Sequence, residues 1–285
     1  QCCMSDEFES RVVACRDFVL SRRLLQPRVA LILGSGLGSL VHHVSHPTCI
    51  PYAQLPHFST THAEGHAGQL VLGFLAGVPI VLMQGRAHPY EGLANWQAAF
   101  PVHCMHALGA DTLITTNAAG GLNVRFQTGD LMAIDSHIDL LWPRGMFCNQ
   151  RMLREELGGF QPSRTPVYDR RLLAQASQAA CRRGLRLHQG CYLSTLGPTY
   201  ETRSEYRMFR WTGADAVGMS TVPEVLAAQT LGMRTLAFSV ITNVASTDTP
   251  QSTSHAEVVD SGIEAGPRLL TIVEDILQDL AGQPD

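Results

Sequence analysis

Thr112-Leu-Ile-Thr-Thr-Asn-Ala-Ala-Gly-Gly121 opens as a strand and closes as a ligand-facing turn. Thr112–Thr116 is apolar or β-branched throughout, the make-up of a buried strand. Asn117–Gly121 then brings four small residues behind one polar side chain. Small residues let a ligand approach the backbone, and the polar group fixes its orientation. Runs of the same make-up lie on both sides: Gly34-Ser-Gly-Leu-Gly38, Gly85-Arg-Ala-His-Pro-Tyr-Glu91, Gly197-Pro-Thr-Tyr-Glu201, Gly218-Met-Ser-Thr-Val-Pro-Glu224 and Thr242-Asn243.

Hydrophobic periodicity places these runs among strands and helices. Val29–Leu33 reads as a buried strand feeding the first glycine loop, and Leu70–Leu75 and Val78–Met83 flank Ala76-Gly77 as a hairpin. Leu131–Ile138, Gly190–Leu196 and Thr235–Ile241 also read as strands. Phe8, Val12, Cys15 and Val19 recur at helical spacing, which predicts a helix near 6–23. Further helices are expected over Trp96–Leu108, Arg170–Arg183 (stopped by Gly184), Val222–Leu231 and His255–Leu280. Strands alternating with helices indicate an α/β fold: one domain over 1–285, a mixed central β-sheet flanked by helices, and a ligand site at the strand ends. The irregular stretch 142–166 reads as a long excursion from the core.

The totals exclude several classes. A net charge of −4 over 285 residues argues against a nucleic-acid binder. The longest apolar run, Val71 to Met83, is broken by two glycines and a proline and is too short for a bilayer, so no membrane is expected. Gln1-Cys-Cys-Met-Ser5 has no apolar signal core, which predicts a soluble cytoplasmic protein. Eight scattered cysteines without Cys-x-x-Cys suggest reduced, mostly buried thiols. His42, His43 and His46 lack metal-ligand spacing and read as a polar surface turn, so no metal is expected.

The motifs favour an anion beside a ring. Gly34–Gly38 follows a strand, and its glycines let backbone N–H groups converge on a phosphate, with Ser35 adding a hydroxyl. A dinucleotide fold would need glycine where Ser39 stands and an acid near Ala53-Gln54-Leu55. Arg86 and His88 alternate, as residues of an extended segment facing one side do, and Tyr90 continues the alternation. Arginine suits a phosphate bidentately. Glu201 and Asn243 can together satisfy the donors and acceptors of a purine, and Tyr200 can stack on it; Glu201 alone also reads as an acid at a helix N-terminus. Ser35 and Ser220 lack the spacing of a nucleophile elbow.

In this order and at these spacings, the six motifs resemble those of the trimeric (type II) purine nucleoside phosphorylases over residues 28–280. The resemblance implies cleavage of the N-glycosidic bond of 6-oxopurine (2′-deoxy)ribonucleosides by inorganic phosphate. The products are the free base and (2-deoxy-)α-D-ribose 1-phosphate. No cofactor is implied beyond phosphate as co-substrate, and the assembly implied is a homotrimer. The phosphate site maps onto Ser35, His66, Arg86, His88, Ala118 and Ser220, and the sugar site onto Tyr90, Met219 and His255. The base site maps onto Ala119, Gly120, Tyr200, Glu201, Val217, Gly218, Thr242 and Asn243. Asn243, Glu201 and His88 carry the catalytic roles. The methylthioadenosine phosphorylases are the second resemblance, but they usually carry aspartate at the position of Asn243, and an inactive nucleoside-binding protein is the third possibility. The chain departs from the pattern at Tyr200 (phenylalanine in some relatives), at Val244 (lysine in some) and over Asp139–Val167, where Phe160 is the nearest candidate for a residue lent to a neighbouring subunit.

Overall fold

The computed structural model describes residues 3–61, 67–141, 166–245 and 254–282. Nine strands form one mixed sheet: β1 (Val29–Leu33), β2 (Ser45–Pro51), β3 (Gln69–Leu75), β4 (Val78–Gln84), β5 (Thr112–Gly121), β6 (Leu131–Asp139), β7 (Leu187–Ser194), β8 (Ala216–Gly218) and β9 (Arg234–Val244). Among the described residues six α-helices accompany them: α1 (Cys3–Arg22), α2 (Asn95–Ala107), α3 (Arg170–Arg182), α4 (Arg203–Trp211), α5 (Val222–Thr230) and α6 (His255–Ala281). The strand order is β2-β3-β4-β1-β5-β8-β7-β6-β9, and β9 returns to pair with β5. The second half of the sheet thereby closes on itself as a small barrel, with β5 as the shared seam.

Every residue of β1 is buried, as expected of a parallel strand covered on both faces. The side-chain period of two divides it between two helical layers. Val29, Leu31 and Leu33 join the core that includes α3 and the buried face of α6, through Leu269, Ile272 and Ile276. Ala30 and Ile32 join the core beneath α1 and α2, with Cys15, Val19, Phe100 and Met105. β3 and β4 form the expected hairpin, with Ala76 and Gly77 both at positive φ (50° and 81°), the requirement of a two-residue turn.

Two strands run further than their composition suggests. β5 continues through Asn117–Gly121, and β9 continues through Thr242 and Asn243, so these residues lie within the sheet and not in loops beyond it. The extension is held by ladder pairing: Gly120 opposes Val217 of β8 on one side and Asn243 of β9 on the other. The strand expected over Gly190–Leu196 lies earlier, as β7. β2, β8 and α4 are additional elements. Cysteine burial also differs from expectation: Cys15 and Cys104 are buried, Cys49 and Cys181 exposed and Cys191 intermediate. These five thiols are free and share no common role in the core. Among the described residues no helix is long and apolar enough to cross a membrane.

Candidate active site

The sheet brings the motifs together because β4, β1, β5 and β9 are mutually parallel neighbours. Their C-terminal ends therefore open on one side, where open α/β sheets bind ligands. The loop after β1 is pressed between β5 and α6. Gly34 donates its N–H to the Thr116 hydroxyl at 3.1 Å, and that hydroxyl reaches Ile32 O at 3.1 Å. A Cβ on Gly36, whose φ is 78°, would stand 2.5 Å from Val259 O, so only glycine lets the loop lie against α6.

Beneath this loop is a buried ionic network. Arg86 is 2% exposed, and its guanidinium donates to Glu224 Oε2 at 2.9 Å and to the Thr221 hydroxyl at 3.2 Å. Its other terminal nitrogen donates to the backbone carbonyl of Thr116. Thr115 adds a donation to Glu224 Oε2 at 3.0 Å, and Asn117 Nδ2 donates to the Thr221 hydroxyl at 2.9 Å. Arg86 lines the cleft, but its terminal nitrogens make these bonds to protein; the side chain expected to grip phosphate bidentately is already held from behind. Thr221 sits at φ 74°, ψ −50°, with Val222 N–H donating to Ser220 O at 2.8 Å. This is a γ-turn of the rare, strained kind, more costly still for a β-branched residue. It sets Ser220 at the N-terminus of α5, with its hydroxyl 3.2 Å from that of Thr221. Strain of this sort persists only where surrounding bonds over-determine it.

The burial of this pair yields a stability prediction. Glu224→Ala leaves the Arg86 charge buried without its carboxylate, which costs about 3–5 kcal/mol. Urea unfolding is expected to show a loss of that size. A variant as stable as the parent would mean that Arg86 swings into solvent and that the network does not hold it.

His88 is 8% exposed, and Glu91 fixes its ring. Glu91 Oε1 lies 3.2 Å from His88 Nδ1 and also accepts from His88 N–H at 2.7 Å. A proton on Nδ1 leaves Nε2 as an acceptor, or as a second donor when the ring is charged. Tyr90 does not continue an extended alternation. It lies on the short 3₁₀ turn Pro89–Glu91, and its ring stacks on His88 at 4.8 Å between centroids and 13° between planes.

The opposite wall carries Glu201 and Asn243. Glu201 immediately precedes the N-cap of α4, so the helix-start and ligand-facing interpretations apply to the same residue. Thr195 donates its hydroxyl to Glu201 Oε1 at 3.2 Å. Burial pushes the Glu201 carboxyl above its ordinary value, while its own backbone N–H and the Thr195 hydroxyl pull it back. Asn243 faces Gly120, where a Cβ would stand 3.6 Å from both amide atoms and 3.5 Å from Val217. Glycine there keeps open the space beside the amide. The Thr242 hydroxyl lies 3.3 Å from Asn243 Oδ1 and 3.4 Å from Ala119 O; donation to the former leaves Asn243 Nδ2 as a donor.

One cleft is thus lined by Ser35, Arg86, His88, Ala118 and Ser220, by Tyr90 and Met219, and by Ala119, Gly120, Tyr200, Glu201, Val217, Gly218, Thr242 and Asn243. Gly34, Asn117, Tyr206 and Val258 line it too, with no role read for them from sequence. Gly34 and Asn117 stood inside quoted motifs; Tyr206 and Val258 had no motif. His66 and Phe160, with the whole stretch 142–165, lie outside the described residues, as does the side chain of His255. Among the described residues, no group of three or more His, Cys, Asp or Glu side chains is placed to hold a metal ion, His42, His43 and His46 included.

Comparison with known proteins agrees with this geometry. The family model described as the phosphorylase superfamily matches residues 28–278. The purine nucleoside phosphorylase of Rattus norvegicus is 43% identical over 263 residues, covering 90% of each chain. Purine nucleoside phosphorylase 1 of Geobacillus stearothermophilus is 43% identical over 255 residues, covering 90% of this chain and 92% of the relative. Among solved structures, the Schistosoma mansoni purine nucleoside phosphorylase in complex with adenosine superposes with a TM-score of 0.84 at 34% identity, covering 97% of this chain and 98% of that one. A schistosoma purine nucleoside phosphorylase in complex with hypoxanthine gives 0.85 at 33% identity with the same coverage. Matched along nearly its whole length in sequence and in fold, the chain belongs to the phosphorylase superfamily and, within it, to the purine nucleoside phosphorylases.

Proposed function

We propose that this chain cleaves 6-oxopurine ribo- and 2′-deoxyribonucleosides, inosine and guanosine among them, with inorganic phosphate. The observation that carries this is one cleft with two chemically distinct ends. Ser35 and Ser220 offer hydroxyl donors to an anion at one end, joined by His88 Nε2 when its ring is charged, with Arg86 supplying positive charge; Glu201 and Asn243 offer an acceptor and a donor to a base at the other. As the bond between C1′ and the purine lengthens, positive charge builds on the sugar and negative charge on the base. Phosphate held beneath C1′ stabilises the first and then bonds to it. The bonding pair leaves with the purine, where Asn243 Nδ2 donates to N7 and Glu201 accepts from the N–H edge. Placement and preorganised electrostatics supply the rate, with no covalent enzyme intermediate. Tyr90, Met219 and His255 hold the sugar.

The same reading takes phosphate as co-substrate and requires no other cofactor. It extends, on the strength of the family resemblance, to a cytoplasmic homotrimer. The test is the ultraviolet spectrum of inosine incubated with the protein, with and without phosphate. Hypoxanthine is expected only with phosphate present. Release without phosphate would make the chain a hydrolase.

A further inference from the structure

Thr221 is the N-cap of α5, yet its side chain makes no capping bond. A threonine in that position ordinarily accepts from an N–H of the first turn. Its backbone stands at φ 74°, where glycine would fit without steric penalty. The side chain is 1% exposed and does not line the cleft, so it cannot touch a ligand itself. A lost cap and a strained backbone at one residue point to a use for the group it presents.

The group presented is a hydroxyl surrounded by donors. Arg86 Nη1 donates to Thr221 Oγ1 at 3.2 Å, and Asn117 Nδ2 donates to it at 2.9 Å. A hydroxyl has two acceptor lone pairs and one proton, and neither a guanidinium nor an amide NH₂ can accept that proton. Both lone pairs are therefore filled. Among the described residues the proton has one partner left, Ser220 Oγ at 3.2 Å. The reverse bond, from Ser220 to Thr221, would need a third lone pair on Oγ1.

We propose that Thr221 is a positioning residue for phosphate, donating its proton to Ser220 Oγ and so turning the Ser220 hydroxyl outward as a donor to the anion. This rests on placing phosphate at the Ser220 end of the cleft. The main chain of Ser220 is engaged elsewhere. Its N–H donates to the Tyr192 hydroxyl at 3.4 Å, and its carbonyl accepts from the Ser194 hydroxyl at 3.2 Å and from Val222 N–H at 2.8 Å. These bonds fix where Ser220 stands. Thr221 then fixes which way its proton points. The chain from Arg86 and Asn117 through Thr221 to Ser220 thus carries donor polarity from a buried cation to the cleft, although the terminal nitrogens of Arg86 are held by protein. The strained turn brings the two hydroxyls side by side.

The test is the KM for phosphate at saturating inosine, with calorimetric titration of phosphate alone as a measure independent of turnover. Parent, Thr221→Val, Thr221→Ser, Ser220→Ala and the double variant Thr221→Val/Ser220→Ala are compared. Thr221→Gly accepts φ 74° without strain and stands in if the valine variant fails to fold. Loss of the Thr221 hydroxyl is expected to weaken phosphate about three- to tenfold and to leave the KM for inosine unchanged. Thr221→Ser keeps the hydroxyl and should restore the parent's value. In the Ser220→Ala background the Thr221 substitution should add nothing further, as required of two residues acting as one unit. Unchanged or tighter phosphate binding in Thr221→Val and Thr221→Gly overturns the proposal. So does a full additional loss in the double variant, which would mean that Thr221 acts through Arg86 or the turn. If Ser220→Ala itself binds phosphate like the parent, the placement of phosphate at Ser220 fails, and the relay with it.

Discussion

Replacement of Glu201 by alanine is expected to lower kcat/KM for inosine about a thousandfold, mainly through KM. Truncating one partner of a buried, charge-assisted hydrogen bond costs about 2–5 kcal/mol, and about 4 kcal/mol corresponds to three powers of ten. Among the described residues that line the cleft, Glu201 carries the only carboxylate. The fold should survive. The folded-state carboxyl lies above its ordinary value, so the protein holds the ionised form less well than the unfolded chain does. That cost appears as pH rises from below the unfolded value through the folded one, and it is present at neutral pH. Removing the group relieves it, and the melting temperature of Glu201→Ala should equal or exceed that of the parent. Steady-state kinetics and thermal unfolding on the same preparation check both halves. Full activity would remove Glu201 from the base site.

The division of labour in the cleft follows from how each half is built. At the end proposed for phosphate, Arg86, Glu224, Thr115, Thr221 and Asn117 are cross-linked and buried, and the strained turn at Thr221 is held by that network. Nothing there needs to reorganise when an anion arrives, which is the condition for strong electrostatic stabilisation. At the end proposed for the base the polar groups are less buried, and each leans on a single hydroxyl: Thr195 for Glu201, Thr242 for Asn243. Substitutions there should act on specificity and affinity more than on stability.

Much of this was legible in the sequence because the motifs follow strands whose apolar runs are unambiguous. β1, β3 and β4 are mostly buried apolar runs with glycine beside them, and Gly73 and Pro79 are the sole breaks inside β3 and β4, so their ends, and with them Ser35, Arg86 and His88, could be placed. β2 was not legible: Ser45–Pro51 carries two prolines, pairs only with β3 through an irregular register and buries one residue. Such an edge strand has no hydrophobic period to detect. The reach of β5 and β9 past their apolar parts was hidden for another reason. Glycine and asparagine argue against strand locally, and the ladder between Gly120 and Asn243 that overrides them joins residues far apart in sequence. The role of Glu224 was equally invisible, since a glutamate near a helix start reads as a dipole partner. Only the fold sets it against Arg86, more than a hundred positions away.

Asn243→Asp is expected to reverse the choice of base, lowering the ratio of kcat/KM for inosine to that for adenosine by about a hundredfold or more. The asparagine amide presents one acceptor and one donor, and the Thr242 hydroxyl beside Oδ1 favours the orientation that leaves Nδ2 for the ligand. A 6-oxopurine offers only lone pairs at N7 and O6 along that edge, so it needs the donor. A carboxylate at this position has no proton to give at neutral pH and would set its lone pairs against theirs. Each buried polar group left unpaired in this way costs about 1–3 kcal/mol. A 6-aminopurine places an N–H donor where O6 was, and the same carboxylate accepts it. The two effects act in opposite directions on the two substrates and multiply in the ratio, as expected of a site that discriminates by hydrogen bonding and not by size. Gly120 and Val217 beside the amide are unchanged by the substitution, so pocket shape cannot account for a switch. Parallel assays with inosine and adenosine at saturating phosphate decide it. An unchanged ratio would show that Asn243 does not face the six-position edge of the purine.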